Sequence, residues 1–174
     1  GSMRLRTALR TILGRFGMNI VLTPAQDLIL ADVDPADKDA IIALLTDHGV
    51  TLAEALLPIQ RWTLACPALP TCGLALTEAE RIREPIVDAI LERLKAYGLE
   101  QEVLSVRITG CPNGCARPYA GDVGLVGRQP GYYALYVGGD FEGTRLSFRL
   151  LDKVGENEIA TVMDPLLAGF ARTR

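Results

Sequence analysis

The sequence predicts an α+β fold, and three observations lead there. Apolar residues recur at helical spacing at both ends of the chain, β-rich runs are scattered between them, and Pro, Gly, Thr and Asn cluster in the joining loops. The 174 residues are 49% apolar, enough to build a packed core.

The elements follow in order. In residues 4–16, Leu5, Leu9, Ile12, Leu13 and Phe16 share one helical face, and Gly17 supplies the stop. Residues 19–22 and 28–32 read as strands joined by the turn Thr23-Pro-Ala-Gln. Asp34 can cap a helix that has Pro35 at its first position and carries Ile41, Ile42, Leu44 and Leu45 as far as Gly49. Residues 4–50 thus form an α-β-β-α unit, a ferredoxin-like half module, and residues 51–62 a connector. Residues 63–174 form a second, mixed α/β domain. There, Thr77 and Glu80 make a capping box that opens a helix reaching about Tyr97, with Pro85 as a kink or a second start. Residues 103–108, 122–126 and 132–137 read as strands. Ile159, Val162, Met163, Leu166, Leu167 and Phe170 mark a terminal amphipathic helix.

Some function classes lose support early. The net charge is −3 with no basic run, which gives nucleic-acid binding no compositional basis. No apolar run reaches membrane-spanning length. Gly1-Ser2 reads as a cloning remnant, and Met3 is grouped with it.

The four cysteines carry the chemistry. Cys66 and Cys72 have five residues between them, Cys111 and Cys115 have three, and both pairs sit in loops of Pro, Gly, Thr and Asn. Thiolates select iron–sulfur clusters, zinc or Cu(I), and four of them complete one cubane cluster. Disulfides suit small secreted domains short of core, and this chain has ample core and no signal peptide. Zinc is the stronger rival, although structural zinc sites favour gaps of two to four residues. Pro67, Pro70 and Pro112 fix torsions and remove donors, while Gly73, Gly110 and Gly114 permit close backbone approach. The remaining amides can hydrogen-bond cluster sulfurs. Any one of these residues alone would be an ordinary turn residue; flanking every cysteine, they read as a ligand cage.

The flanking residues go further. Thr63-Leu-Ala-Cys-Pro-Ala-Leu-Pro-Thr-Cys-Gly-Leu-Ala-Leu-Thr-Glu-Ala-Glu-Arg81 is followed by Thr109-Gly-Cys-Pro-Asn-Gly-Cys-Ala-Arg-Pro118, with 38 residues between Cys72 and Cys111. Together with Val123-Gly-Leu-Val-Gly127, Tyr136-Val-Gly-Gly139 and Gly143-Thr-Arg-Leu146, these stretches resemble the cluster-binding part of the sirohaem-dependent nitrite and sulfite reductases. The form Cys-Pro-Asn-Gly-Cys-Ala-Arg-Pro is similar to the assimilatory sulfite branch; nitrite enzymes more typically have Ser before the last cysteine and Gly-Gln after it. The α-β-β-α unit suits the module that precedes the cluster domain in this family.

The resemblance implies an oxidoreductase that carries one 4Fe-4S cluster and one sirohaem and performs the six-electron reduction of sulfite to sulfide in sulfur assimilation. Cys66, Cys72, Cys111 and Cys115 would ligate the cluster. Cys115 would be catalytic, its thiolate also reaching the sirohaem iron. Asn113 would touch the macrocycle and Arg117 one of its carboxylates, against ordinary readings as a turn residue and a structural ion pair. Nitrite as substrate, or a non-catalytic four-cysteine zinc or electron-relay module, are the alternatives. Arg61, Arg107 and Arg117 are few cations for so anionic a cofactor and substrate, so the rest are expected in an N-terminal half of the same haemoprotein. The chain stops at Ala171-Arg-Thr-Arg174, short of the usual family C-terminus, and reads as a fragment that alone would be inactive and without its sirohaem, its cysteines free or oxidised. Electrons would come from an NADPH-dependent flavoprotein subunit or from ferredoxin, in a reducing cytoplasm, or a plastid in a photosynthetic eukaryote.

Other polar residues read as structural. His48 sits at a helix C-terminus where a cation suits the dipole. Trp62 reads as core or as a cofactor shield. Asp37, Asp39, Glu78, Glu92 and Glu100 read as solvated surface.

Overall fold

Helical periodicity at the start of the chain produces α1 (Leu5–Phe16), which buries Ala8 and Ile12 on one face and ends at Gly17. β1 (Asn19–Leu22) and β2 (Leu28–Ala31) pair antiparallel, with Asn19 opposite Ala31. Asp34 caps as expected, its carboxylate accepting from the Ala36 amide at 2.9 Å. What it caps is a 3-10 turn, Pro35–Asp37, which leads into α2 (Lys38–Asp47). α1 packs on α2. The His48 ring nitrogen Nδ1 lies 2.8 Å from the Leu44 carbonyl oxygen, so the sole histidine finishes a helix.

The computed structural model describes residues 3–140 and 142–174. Contacts divide the chain between Leu56 and Leu57, inside the expected connector. Gly1 and Ser2 lie outside the described residues.

The second unit is a five-stranded sheet in the order β3-β4-β5-β6-β7, with helices on one face. A short α3 (Pro58–Arg61) leads into β3 (Thr63–Ala65). α4 (Arg83–Ala96) crosses to β4 (Val106–Thr109), which lies parallel to β3. β5 (Val123–Gln129) is parallel to β4, and β6 (Tyr132–Val137) and β7 (Phe148–Gly155) continue antiparallel. α5 (Ile159–Thr173) returns beside α4. Ile86, Val87, Ile90, Leu91 and Leu94 of α4 meet Ile159, Met163 and Leu167 of α5, over Val106, Ile108, Val123, Leu125 and Leu135 of the sheet. Each such side chain is worth about 1.5–3 kcal/mol of burial, so this layer holds the unit together. Arg83 fixes where α4 starts, donating to the carbonyls of Thr63 at 3.2 Å and Gln60 at 2.6 Å.

Parallel neighbours need long crossovers, and the two here take opposite faces. Between β3 and β4 the chain runs through α4, whereas between β4 and β5 it runs through residues 110–122. Gly124 shows the second path: it alternates with Val123 and Leu125, which face the helices, and a Cβ on it would lie 2.0 Å from the Pro118 carbonyl oxygen. The second cysteine loop therefore crosses the face away from α4 and α5.

The α+β class holds, with revisions. Thr77 is no helix cap: it is 1% exposed, and the turn over Glu80–Ile82 starts from Ala79, whose side chain caps nothing. α4 begins at Arg83, so Pro85 falls in its first turn, where no intrahelical amide bond is lost and no kink is needed. The strand expected over 103–108 starts at Val106, and that over 122–126 runs on to Gln129. β3 and β7 were not anticipated. Among the described residues no helix is long and apolar enough to cross a membrane.

Gly124→Ala is expected to destabilise the unit by about 1–3 kcal/mol, because backbone rather than a flexible side chain occupies the space. Urea unfolding followed by far-UV circular dichroism checks this; an unchanged midpoint would mean that the crossover does not press on β5.

Candidate metal centre

Cys66 directly follows β3, and Cys111 follows β4 after Gly110. Because β3 and β4 are parallel and in register, with Ala65 beside Ile108, both cysteine loops leave the same edge of the sheet. The carboxyl ends of parallel strands are where such sheets bind ligands. The ladder continues one residue further, the Cys66 amide donating to the Ile108 carbonyl at 3.0 Å. The Gly110 amide then donates to Cys66 Sγ at 3.3 Å, so a backbone N–H from the second loop reaches a thiol of the first.

The loops are clamped through backbone. The Gly110 carbonyl accepts from the amides of Leu76 at 2.8 Å and Thr77 at 3.2 Å. A Cβ on Gly110 would lie 2.7 Å from both Ala68 Cβ and the Thr77 carbonyl oxygen, and one on Gly127 would lie 2.3 Å from the Gly110 carbonyl oxygen. Within the first loop, the Cys72 amide donates to Ala68 at 2.7 Å and the Ala75 amide to Cys72 at 3.1 Å. Gly73 plays no comparable part, since a Cβ there meets nothing within 4 Å.

A buried polar network ties this clamp to the β5–β6 hairpin. The Tyr133 hydroxyl donates to the Glu78 carbonyl at 2.8 Å and lies 3.1 Å from Thr77 Oγ1, which accepts from the Gly131 amide at 2.9 Å. Burial pushes the Tyr133 hydroxyl up to about 12, against the opposing effect of its Thr77 bond. Neither Thr77 in this role nor Tyr133 was anticipated from the sequence. The signal available was Thr77 between a cysteine loop and a helix, and it points equally to a cap.

The four thiols are free and graded in exposure. Cys66 and Cys111 are each 8% exposed, Cys72 is half-buried, and Cys115 is open to solvent together with Asn113 and Arg117. Leu74 and Leu76 leave apolar surface along the first loop. Arg61 is exposed on α3, and Trp62 is half-buried at its end. Arg107 lies under the second loop, its stem against Gly121. Its Nε and Nη1 are buried without a hydrogen-bond partner among the described residues. Burial lowers its pKa, Arg117 nearby lowers it further, and Asp122 works the other way. Burial, with Tyr136 beside it, raises the Tyr119 hydroxyl. Glu100 is not wholly solvated, since its Oε2 is buried without a partner among the described residues.

Among the described residues no three Cys, His, Asp or Glu side chains converge on the position of a single metal ion. A four-iron cube binds its thiolates at separate corners, farther apart than four sulfurs held about 2.3 Å from one zinc. The donor set is entirely thiol, buried Cys66 already meets a backbone N–H, and two loops supply two sulfurs each. That suits an iron–sulfur cluster. Cys115 is exposed, Arg117 follows two residues on, and Arg107 lies within electrostatic reach of Arg117, so positive charge that would suit an anionic group gathers at this loop.

Residues 56–172 match the family described as the nitrite and sulphite reductase 4Fe-4S domain. The ferredoxin-type sulfite reductase of Synechococcus elongatus is 44% identical over 174 residues, all of this chain and 28% of its own length. The NADPH-type sulfite reductase haemoprotein beta-component of Myxococcus xanthus is 47% identical over 168 residues, 97% of this chain and 30% of its own. The structure of the Mycobacterium tuberculosis NirA protein superposes with a TM-score of 0.80 at 27% identity, covering 97% of this chain and 33% of that one. The chain thus spans about a third or less of the length of these relatives.

Tyr133 gives the site a pH signature. Its folded pKa lies above the ordinary value of 10, so its contribution is complete below pH 10 and is lost as the pH rises from 10 towards about 12. Tyr133→Phe is expected to remove that alkaline loss. It also leaves the Glu78 carbonyl short of a donor, at a cost of about 1–3 kcal/mol near neutrality. Unfolding midpoints at pH 7 to 11.5 test both; equal alkaline slopes for the two proteins would contradict the assignment.

Proposed function

We propose, from the premise that this chain belongs to the nitrite and sulphite reductase 4Fe-4S domain family, that it is the cofactor-ligating part of a sulfite reductase. Cys66, Cys72, Cys111 and Cys115 would hold the cluster, and Cys115, the exposed one, would also hold the sirohaem. When bound, the two groups would supply single electrons for the six-electron reduction of sulfite to sulfide. The observation that carries the reading is the parallel pairing of β3 and β4, which brings both cysteine loops to one edge of the sheet.

Each residue has a definite task. Cys66 and Cys111 form the buried inner side, where the Gly110 amide stabilises negative charge on sulfur and so favours the reduced cluster. Asn113, at the exposed tip of the second loop, would contact the macrocycle. Arg117 would pair with one of its carboxylates, and the nearby Arg107 adds to the positive field. The remaining substrate-binding cations belong to the N-terminal half of the haemoprotein. The relatives' names supply two candidate electron donors, ferredoxin and NADPH, and with NADPH a flavoprotein subunit would pass the electrons on. Thiolate ligation of this kind fits a reducing cytoplasm.

Anaerobic reconstitution of the chain with iron and sulfide is expected to give about four irons and about four acid-labile sulfides per chain. Cys66→Ala, Cys72→Ala and Cys111→Ala should each abolish the broad visible absorption. One zinc per chain and no iron taken up under the same conditions would sink the cluster. A longer chain that includes the N-terminal half, assayed with both anions, is expected to have the higher kcat/KM for sulfite; a preference for nitrite would overturn the substrate.

A further inference from the structure

The two cysteine loops are held differently. Backbone bonds within the first loop and to Gly110 fix it, and the Arg81 guanidinium adds a bond to the Leu69 carbonyl at 3.0 Å. The second loop is exposed at Pro112, Asn113 and Cys115. Between Cys111 and Arg117 its backbone bonds among the described residues are a long contact from the Gly114 amide to the Cys111 carbonyl at 3.5 Å, and a bond from the Arg117 amide to the Gly114 carbonyl at 2.7 Å.

Tyr119 supplies what the backbone does not. Its hydroxyl donates to the Pro112 carbonyl at 3.3 Å, across the loop. Its ring closes over Gly114: a Cβ there would sit 3.2 Å from Tyr119 Cε2, and Gly114 already has a φ of +71°. The ring is itself fixed from behind, edge-on to Tyr136 of β6 with centroids 5.0 Å apart, and the Tyr119 carbonyl accepts from the Ser147 amide at 2.8 Å. Cys115 lies between Gly114, under the ring, and Ala116, which is 4% exposed.

We infer that Tyr119 is a positioning residue for Cys115, clamping the exposed tip of the second loop to β6 so that the thiolate keeps one orientation. This rests on the reading of Cys115 as a cluster ligand, but the clamp itself can be measured without metal. Tyr119→Phe removes the bond to Pro112 and keeps the ring; Tyr119→Leu removes both.

Hydrogen exchange of the metal-free chain is expected to show the Gly114 and Arg117 amides opening about tenfold faster in Tyr119→Leu, and by a smaller factor in Tyr119→Phe, with β5 and α4 unchanged. In the reconstituted chain the variants should bind iron and sulfide as the parent does, but with a shifted midpoint potential and an altered EPR line shape. Exchange within about twofold of the parent in both variants would overturn the inference, as would acceleration spread evenly over β5 and α4. If Tyr119→Leu fails to fold, Tyr119→Phe decides by the same measures. A parent chain that assembles no cluster refutes the proposed function, while the exchange rates still decide the clamp.

Discussion

The parallel pairing of β3 with β4 is the constraint on which the rest depends. Parallel strands cannot be joined by a tight turn, so α4 forms one connection and the second cysteine loop lies within the next. Cysteines separated by 38 residues thereby emerge at one edge. The hydrogen bonds that unite the loops are worth about 0.5–1.5 kcal/mol each, less than one buried Leu or Ile of the α4–α5 layer. The apolar core therefore carries the stability, and the loops inherit their geometry from it. This explains how an exposed loop end coexists with a rigid base.

Close approach is the means by which that geometry reaches the thiols. Gly110, Gly124 and Gly127 each stand where a methyl group would strike backbone or the neighbouring loop, so the two loops and β5 pack main chain against main chain. Around them the polar groups are largely paired: Thr77, Tyr133, Glu78 and Gly131 satisfy one another within the interior. Arg107 is the counter-example. Two of its N–H groups are buried without a partner among the described residues, an arrangement that costs free energy and that functional sites tolerate more often than scaffolds do.

Much of this was legible in the chain, and the misses have physical reasons. α1, α2, α5 and the β1–β2 hairpin announce themselves because their apolar spacing matches their geometry. The cysteine loops stand out because thiols, prolines and glycines cluster there for chemical reasons. β3 has three residues and shows no period. β7 is an edge strand with two register shifts, and Arg149, Asp152 and Lys153 break its alternation, the usual guise of a protected edge. Thr77 followed by Glu80 fits a capping box perfectly well, yet tertiary contacts with Tyr133 claimed its hydroxyl. Tyr119 carries no mark in one dimension, since its role arises only where the crossover folds back onto β6.

That the strands alone bring the two loops together can be tested before any metal is added. In a chain carrying Cys72→Ser and Cys115→Ser, a short bifunctional thiol reagent should bridge Cys66 and Cys111 within a single molecule under native conditions, and the bridge should be lost in urea. Peptide mass mapping reads the result. Efficient native bridging is what the parallel β3–β4 edge predicts; no bridging, or bridging equally efficient in the unfolded chain, would contradict it.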